Sequence, residues 1–209
     1  MIILFTKIQV NNILFIGGIK EMHKQQRVAE FQKVSKDQFI KDCEKFLSKK
    51  DWENNKNNLD EIYENILLPK RATKGSAGYD FCFPFETREF YPNEELLIPT
   101  GIRCKFYENS FSLDIVPRSS LGFKSGIRLA NTIGIIDSDY YYADNEGHIM
   151  IKLVFPVNKE DAIFSWASSR KATLEKGSRF AQGIFHQFGI TIDDDAEGLR
   201  EGGFGSTGK

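Results

Sequence analysis

Before Pro69 the apolar residues of the chain recur at helical spacing, and after it they come in short runs separated by turn formers. The early pattern is clearest beyond Ser35, where Phe39, Ile40, Cys43, Phe46 and Leu47 fall on one helical face. Ser35 with Gln38 three residues later has the form of a capping box, so an amphipathic helix of roughly three turns is predicted to start there. A second apolar face, Leu59, Ile62, Tyr63 and Ile66, follows the polar stretch 51–58. It must stop before Pro69, because proline disfavours helical backbone in the residue preceding it. Residues 22–68 therefore read as a small, mostly helical annex.

From Pro69 onward, runs rich in Phe, Ile, Val and Tyr occupy 78–83, 95–106, 111–116, 147–157 and 180–188, with Gly, Pro, Asn and Asp between them. That spacing predicts an all-β sandwich or jelly roll over residues 69–198, with no internal repeat. A Gly-rich segment, 199–209, follows. The first twenty residues are apolar enough to raise a secretory signal, but they lack a basic start and a small-residue cleavage site, and Asn11 and Asn12 interrupt the apolar run. Residues 1–21 are read as an edge strand or an upstream extension, with Met22 as an alternative start.

Composition narrows the class. With 41% hydrophobic and 27% charged residues and no apolar run of membrane-spanning length, the chain reads as soluble and globular, without a membrane partner. Its 28 basic and 29 acidic residues leave no general electrostatic footprint for nucleic acid. Residues 1–71 carry 13 basic and 10 acidic side chains, so the remainder is net acidic and would have to bind an anion through local donors. Cys43, Cys82 and Cys104 form no CxxC and leave one unpaired, which suits a reducing compartment, the cytoplasm, and three buried thiols. They make no zinc cluster with His23, His148 and His186, and the signature of the zinc nucleobase deaminases is absent.

Three segments carry candidate chemistry. Residues 203–208 satisfy G-x-G-x-x-G, but no helix can follow to present its N-terminus to phosphates, so a dinucleotide fold is rejected. The tail is then either a disordered end or a flap whose glycine amides, Ser206 and Thr207 meet an anion while Phe204 lies on a flat ring. Val-Pro-Arg-Ser-Ser-Leu-Gly at 116–122 sets Arg118, Ser119 and Ser120 after an apolar strand, either as a phosphate-binding turn or as an ordinary solvated one. In 131–140, Asp137 and Asp139 stand two apart after three isoleucines, on one face if the strand continues. A carboxylate there is costly to bury without a task, so a general base is indicated, with a structural cation site as the alternative.

Together these segments resemble the trimeric dUTPase family, in the form found in Gram-positive bacteria and their phages. Five motifs occur in the family's order: Gly-Ser-Ala-Gly-Tyr-Asp at 75–80, Pro-Arg-Ser-Ser-Leu-Gly at 117–122, the 131–140 segment, Gly-Ser-Arg-Phe-Ala-Gln at 177–182, and the glycine-rich 202–208. The resemblance implies a jelly-roll subunit in a homotrimer, with each site assembled from different chains. It implies hydrolysis of dUTP to dUMP and pyrophosphate with Mg²⁺ on the triphosphate. Asp137 would be the base for the attacking water, and Tyr140 the ring beneath the deoxyribose. Asn131 and Gly134 would belong to the hairpin that reads uracil, while Arg118, Ser119, Ser120 and Gln182 would be phosphate contacts. Asp80 would stand near the metal and phosphate end without ligating the metal directly.

The sequence departs from the family at two places. Leu199 stands where an Arg usually precedes the tail Phe204 by five residues, which leaves Arg200, one step later, as the tail cation. After Tyr140 the segment 141–146 predicts a longer hairpin before Gly147. Two other functions are to be weighed. A dCTP deaminase of the same fold would need a Glu where the alignment gives Lys152, and a nucleotide-sensing protein would dock a regulatory partner through the annex or the 141–146 loop.

Overall fold

The computed structural model describes residues 26–157, 170–198, 200 and 202, together with the backbone of β1 (Phe15–Ile16) and β2 (Ile19–Lys20), which pair with each other. Every strand pairing among the described residues is antiparallel. The largest sheet has five strands in the order β11 (Gly134–Ile136), β9 (Phe111–Pro117), β14 (Arg179–Gln187), β5 (Tyr79–Cys82) and β4 (Lys70–Arg71). A three-stranded sheet runs β10 (Arg128–Leu129), β12 (Met150–Val154), β7 (Glu95–Pro99). Two further pairs are β13 (Ala172–Leu174) with β6 (Arg88–Phe90) and β3 (Ala29–Lys33) with β8 (Ile102–Phe106). The predicted sandwich of jelly-roll type is the architecture found.

Alternation along the strands supplies the core. Phe81 and Phe83, Leu113 and Ile115, Ile151 and Leu153 are buried at every second position, as one-sided burial of a pleated strand requires. Phe31, Tyr79, Phe81, Phe106 and Phe185 meet with ring centroids 5.4–5.9 Å apart, which ties the β3–β8 pair to the five-stranded sheet. The run 95–106 breaks into two strands at Thr100 and Gly101, where Gly101 has φ +72°.

Residues 22–68, read as an annex, also contribute β3, and their helices share the β core. Helix α1 (Lys36–Phe46) buries Phe39 and Cys43 completely, and Phe39 stacks on Phe85 and packs against Tyr63. Helix α2 (Lys49–Asn55) and a 3₁₀ turn (Lys56–Asn58) fill the whole of the polar stretch 51–58. Polarity misleads there because the buried polar groups are satisfied. Asp51 takes Ser48 and the Arg88 guanidinium, and the Asn55 oxygen accepts from the Glu86 amide at 3.1 Å. Helix α3 (Leu59–Glu64) carries the second apolar face inward.

Three local expectations need correction. The capping box is half made: Ser35 Oγ accepts from the Gln38 amide, but the Gln38 side chain turns to Asp42. The 116–122 segment is not a simple turn, because its second half starts helix α4 (Ser119–Ser125), capped by Gly126 at φ +76°. Cys43 and Cys104 are buried, but Cys82 is only half-buried. Among the described residues no helix is long and apolar enough to cross a membrane.

Candidate active site

Sheet order brings the first, second and fourth motifs together. In register across β5, β14 and β9, Asp80 faces Gln182 and Gln182 faces Val116. Asp80, only 11% exposed, accepts an ion pair from Arg118 Nε at 3.0 Å and another from Arg179 Nη1 at 3.1 Å. The carboxylate thus holds two guanidiniums side by side, an arrangement suited to phosphate oxygens. Gln182 Nε2 donates to the Pro117 carbonyl at 3.3 Å. Ser119 is exposed at the start of α4, and Ser120 follows it in the helix.

The third motif forms a separate centre at the edge strand β11. A left-handed residue, Thr132 at φ 62°, turns the chain so that Asn131 lies over Gly134, where a Cβ would stand 3.3 Å from the side-chain Nδ2 of Asn131. Asn131, Gly134, Tyr140 and Arg200 line one cavity of about 920 Å³, to which helix α1 adds Lys41 and strand β12 adds Lys152. Tyr140 is buried, its hydroxyl donating to the His148 carbonyl at 2.9 Å and accepting from Asn145 at 2.8 Å. Burial raises its phenol pKa, outweighing Asn145 and Arg200, so the ring is neutral.

Asp137 and Asp139 do not share a strand face. The strand ends at Ile136, and Ser138–Tyr142 is a 3₁₀ helix. Nor are they buried in the chain, their side chains being 55% and 53% exposed. They converge instead on Arg200, whose Nη1 lies 2.7 Å from Asp137 and 3.2 Å from Asp139 while its guanidinium sits 4.9 Å from the Tyr140 ring centroid. Burial opposes that charge, but the two carboxylates outweigh it and hold the Arg200 pKa above its usual value.

A sequence model described as dUTPase matches residues 64–208. The deoxyuridine 5'-triphosphate nucleotidohydrolase of Lactococcus lactis subsp. lactis is 39% identical over 151 residues, covering 70% of this chain and 92% of its own length. The enzyme of the same name from Shewanella sediminis is 38% identical over 154 residues, covering 70% and 90%. The chain belongs to the dUTPase family. The Staphylococcus bacteriophage 80alpha dUTPase solved with dUPNHPP shares the fold, with a TM-score of 0.53 at 20% identity over 88% of this chain and 100% of that one.

Some residues of this dUTPase at the site were not singled out from sequence. Arg179 lies inside the fourth motif, and its pairing with Asp80 needs the strand register to be seen. Lys41 and Asp42 line the cavity from a helix outside the matched segment. Phe204, Ser206 and Thr207, with Leu199, lie outside the described residues. Gly78 is fixed by Gln182, since a Cβ at position 78 would come 2.2 Å from Gln182 Oε1. Gly78→Ala is expected to leave the melting temperature nearly unchanged, because only a side-chain end must move, and to raise KM for dUTP about fivefold as Gln182 is displaced. Steady-state kinetics beside a thermal melt decide this, and an unchanged KM would remove Gln182 from substrate contact.

Proposed function

We propose that this protein hydrolyses dUTP to dUMP and pyrophosphate. The observation that carries this is the convergence of Asn131, Gly134, Tyr140, Asp137 and Arg200 at one cavity edge, in a chain of the dUTPase family. Water attacks the α-phosphorus in line with the departing pyrophosphate, and Asp137 takes its proton. Tyr140 packs beneath the deoxyribose and fills the space a 2′-hydroxyl would need. Main-chain groups around Asn131 and Gly134 pair with uracil; cytosine, with a donor and acceptor reversed, is rejected by up to roughly 10⁴-fold.

Arg118, Ser119, Ser120 and Gln182 take the phosphates, with Asp80 holding Arg118 and Arg179 in place. Arg118, Ser119, Gln182, Asp80 and Arg179 are not among the described residues that line the cavity holding Tyr140. A homotrimer resolves the separation, each site joining one chain's third motif to another chain's phosphate cluster. Arg200 pairs with Asp137 and Asp139, and a triphosphate competes for that guanidinium, releasing Asp137 to act as base. Ser206 and Thr207 in the tail add phosphate donors, and Phe204 stacks on uracil.

Mg²⁺ fits as an ion held chiefly by triphosphate oxygens and water: Asp80 is already matched by two arginines, while Asp137 and Asp139 are more than half exposed and reachable through water. When bound, such an ion would supply charge neutralisation on the triphosphate oxygens. Lys152 pairs with Glu95 on the neighbouring strand and supplies no carboxylate for deamination. Purified protein with Mg²⁺ is expected to release pyrophosphate from dUTP and far more slowly from the other deoxynucleoside triphosphates, and to form no uracil nucleotide from dCTP. Equal rates on dUTP and dTTP would refute the hairpin's role, and uracil product from dCTP would restore the deaminase.

A further inference from the structure

Helix α1 lies outside the segment matched to the dUTPase family, yet it is fastened at two points to the loop that follows Asp137. At its N-terminus the Ser35 amide donates to Glu146 Oε2 at 2.7 Å and the Ser35 hydroxyl donates to Oε1 at 2.6 Å. Glu146 thus supplies the reciprocal half of the cap that Gln38 leaves unmade, with Arg103 at 3.8 Å. Two turns further on, Asp42 Oδ2 lies 2.6 Å from His148 Nδ1 and accepts from Gln38 Nε2 at 2.8 Å.

The pair is buried, His148 completely and Asp42 to 4% exposure. The Gly101 amide donates to His148 Nε2 at 2.7 Å, so that nitrogen is the acceptor and the ring proton sits on Nδ1, directed at Asp42. The imidazole is therefore held on both sides, in one tautomer and one orientation. Its backbone carbonyl is what the Tyr140 hydroxyl donates to, and Asn145 donates to both the Tyr140 oxygen and the His148 carbonyl. A buried carboxylate gains little over an apolar side chain in stability alone, so its presence beneath a site residue calls for a role in geometry.

We propose, on the footing of dUTP hydrolysis at this site, that Asp42 is a positioning residue: by holding the His148 imidazole it fixes the His148 carbonyl and so the Tyr140 ring on which the deoxyribose packs. Helix α1 is thereby a structural part of the nucleotide site, and the 141–146 loop serves to fasten it there. Loosening the Tyr140 ring weakens substrate and transition state alike, because both carry the same sugar, so the loss falls on KM more than on kcat.

The test compares Asp42→Ala, Asp42→Asn and the exposed-face control Glu44→Ala in the full chain with Mg²⁺. Readouts are kcat and KM for dUTP, the dissociation constant for α,β-imido-dUTP, and a thermal melt. Asp42→Ala is expected to raise KM and the dissociation constant about tenfold with kcat within about threefold of wild type, Asn to restore both by keeping an acceptor for the Nδ1 proton, and Glu44→Ala to change nothing. Should Asp42→Ala not fold, Tyr140→Phe probes the other end of the linkage by removing the hydroxyl while keeping the ring, and it should raise KM similarly. A folded Asp42→Ala with wild-type KM, or Tyr140→Phe with wild-type KM, overturns the positioning role while dUTP hydrolysis stands. A wild-type chain that neither binds nor cleaves dUTP overturns the proposed function and this role with it.

Discussion

Asp137→Asn is expected to bind dUTP nearly as well as the wild type and to turn it over ~10²-fold more slowly or worse. The substitution keeps the side chain's shape at a position more than half exposed, so the fold has little to lose. The ion pair with Arg200 is weakened, but Asp139 at 3.2 Å still holds that guanidinium, and an exposed pair contributes little to stability. What disappears is the group able to accept a proton from water as the α-phosphorus is attacked. Single-turnover rates separate chemistry from product release. A variant with the wild-type rate would exclude Asp137 as the base.

The largest loss of stability among conservative changes near the site is expected from Gly147→Ala. Residue 147 has φ +69°, and a Cβ built there stands 2.7 Å from both the Tyr140 carbonyl oxygen and the Tyr141 Cα, which are backbone atoms without rotamers to relieve the contact. Left-handed strain and steric overlap each cost about 1–3 kcal/mol, so about 3 kcal/mol in all is expected. The shift must also push the 3₁₀ helix that carries Tyr140, so KM for dUTP should rise in the surviving folded fraction. Urea unfolding gives the stability directly. A midpoint matching the wild type would mean that the loop relaxes around the methyl group.

The strand segments and the first helix were legible because one-sided burial writes a period into the sequence, and Phe39 with Cys43 or Leu113 with Ile115 obey it. Helix α2 was not, since its buried positions are Asp51 and Asn55, whose partners Arg88 and Glu86 are more than thirty residues away. The same limit governs the site. Asp137, Tyr140 and Arg118 stood out through motifs, whereas the geometry joining Asp137 and Asp139 through Arg200 depends on a 3₁₀ turn with no periodic signal. The extended-strand expectation failed there because a 3₁₀ helix begins at Ser138, between the two aspartates. Likewise no spacing or motif marks Asp42, whose burial follows from its pairing with His148, 106 residues on.

The three thiols have a practical consequence. Burial pushes the Cys104 thiol up to about 12 and raises Cys43 further still, while at Cys82 burial and the Asp80 charge outweigh the nearby Arg179 and Arg118. None presents much thiolate at neutral pH, so a folded chain reacts sluggishly with maleimides and peroxide. Cys43 lies on helix α1 and Cys104 on strand β8. Alkylation of each must wait for its own element to open, so pulse labelling read out at Cys43 and at Cys104 clocks the breathing of helix and strand separately within one native molecule.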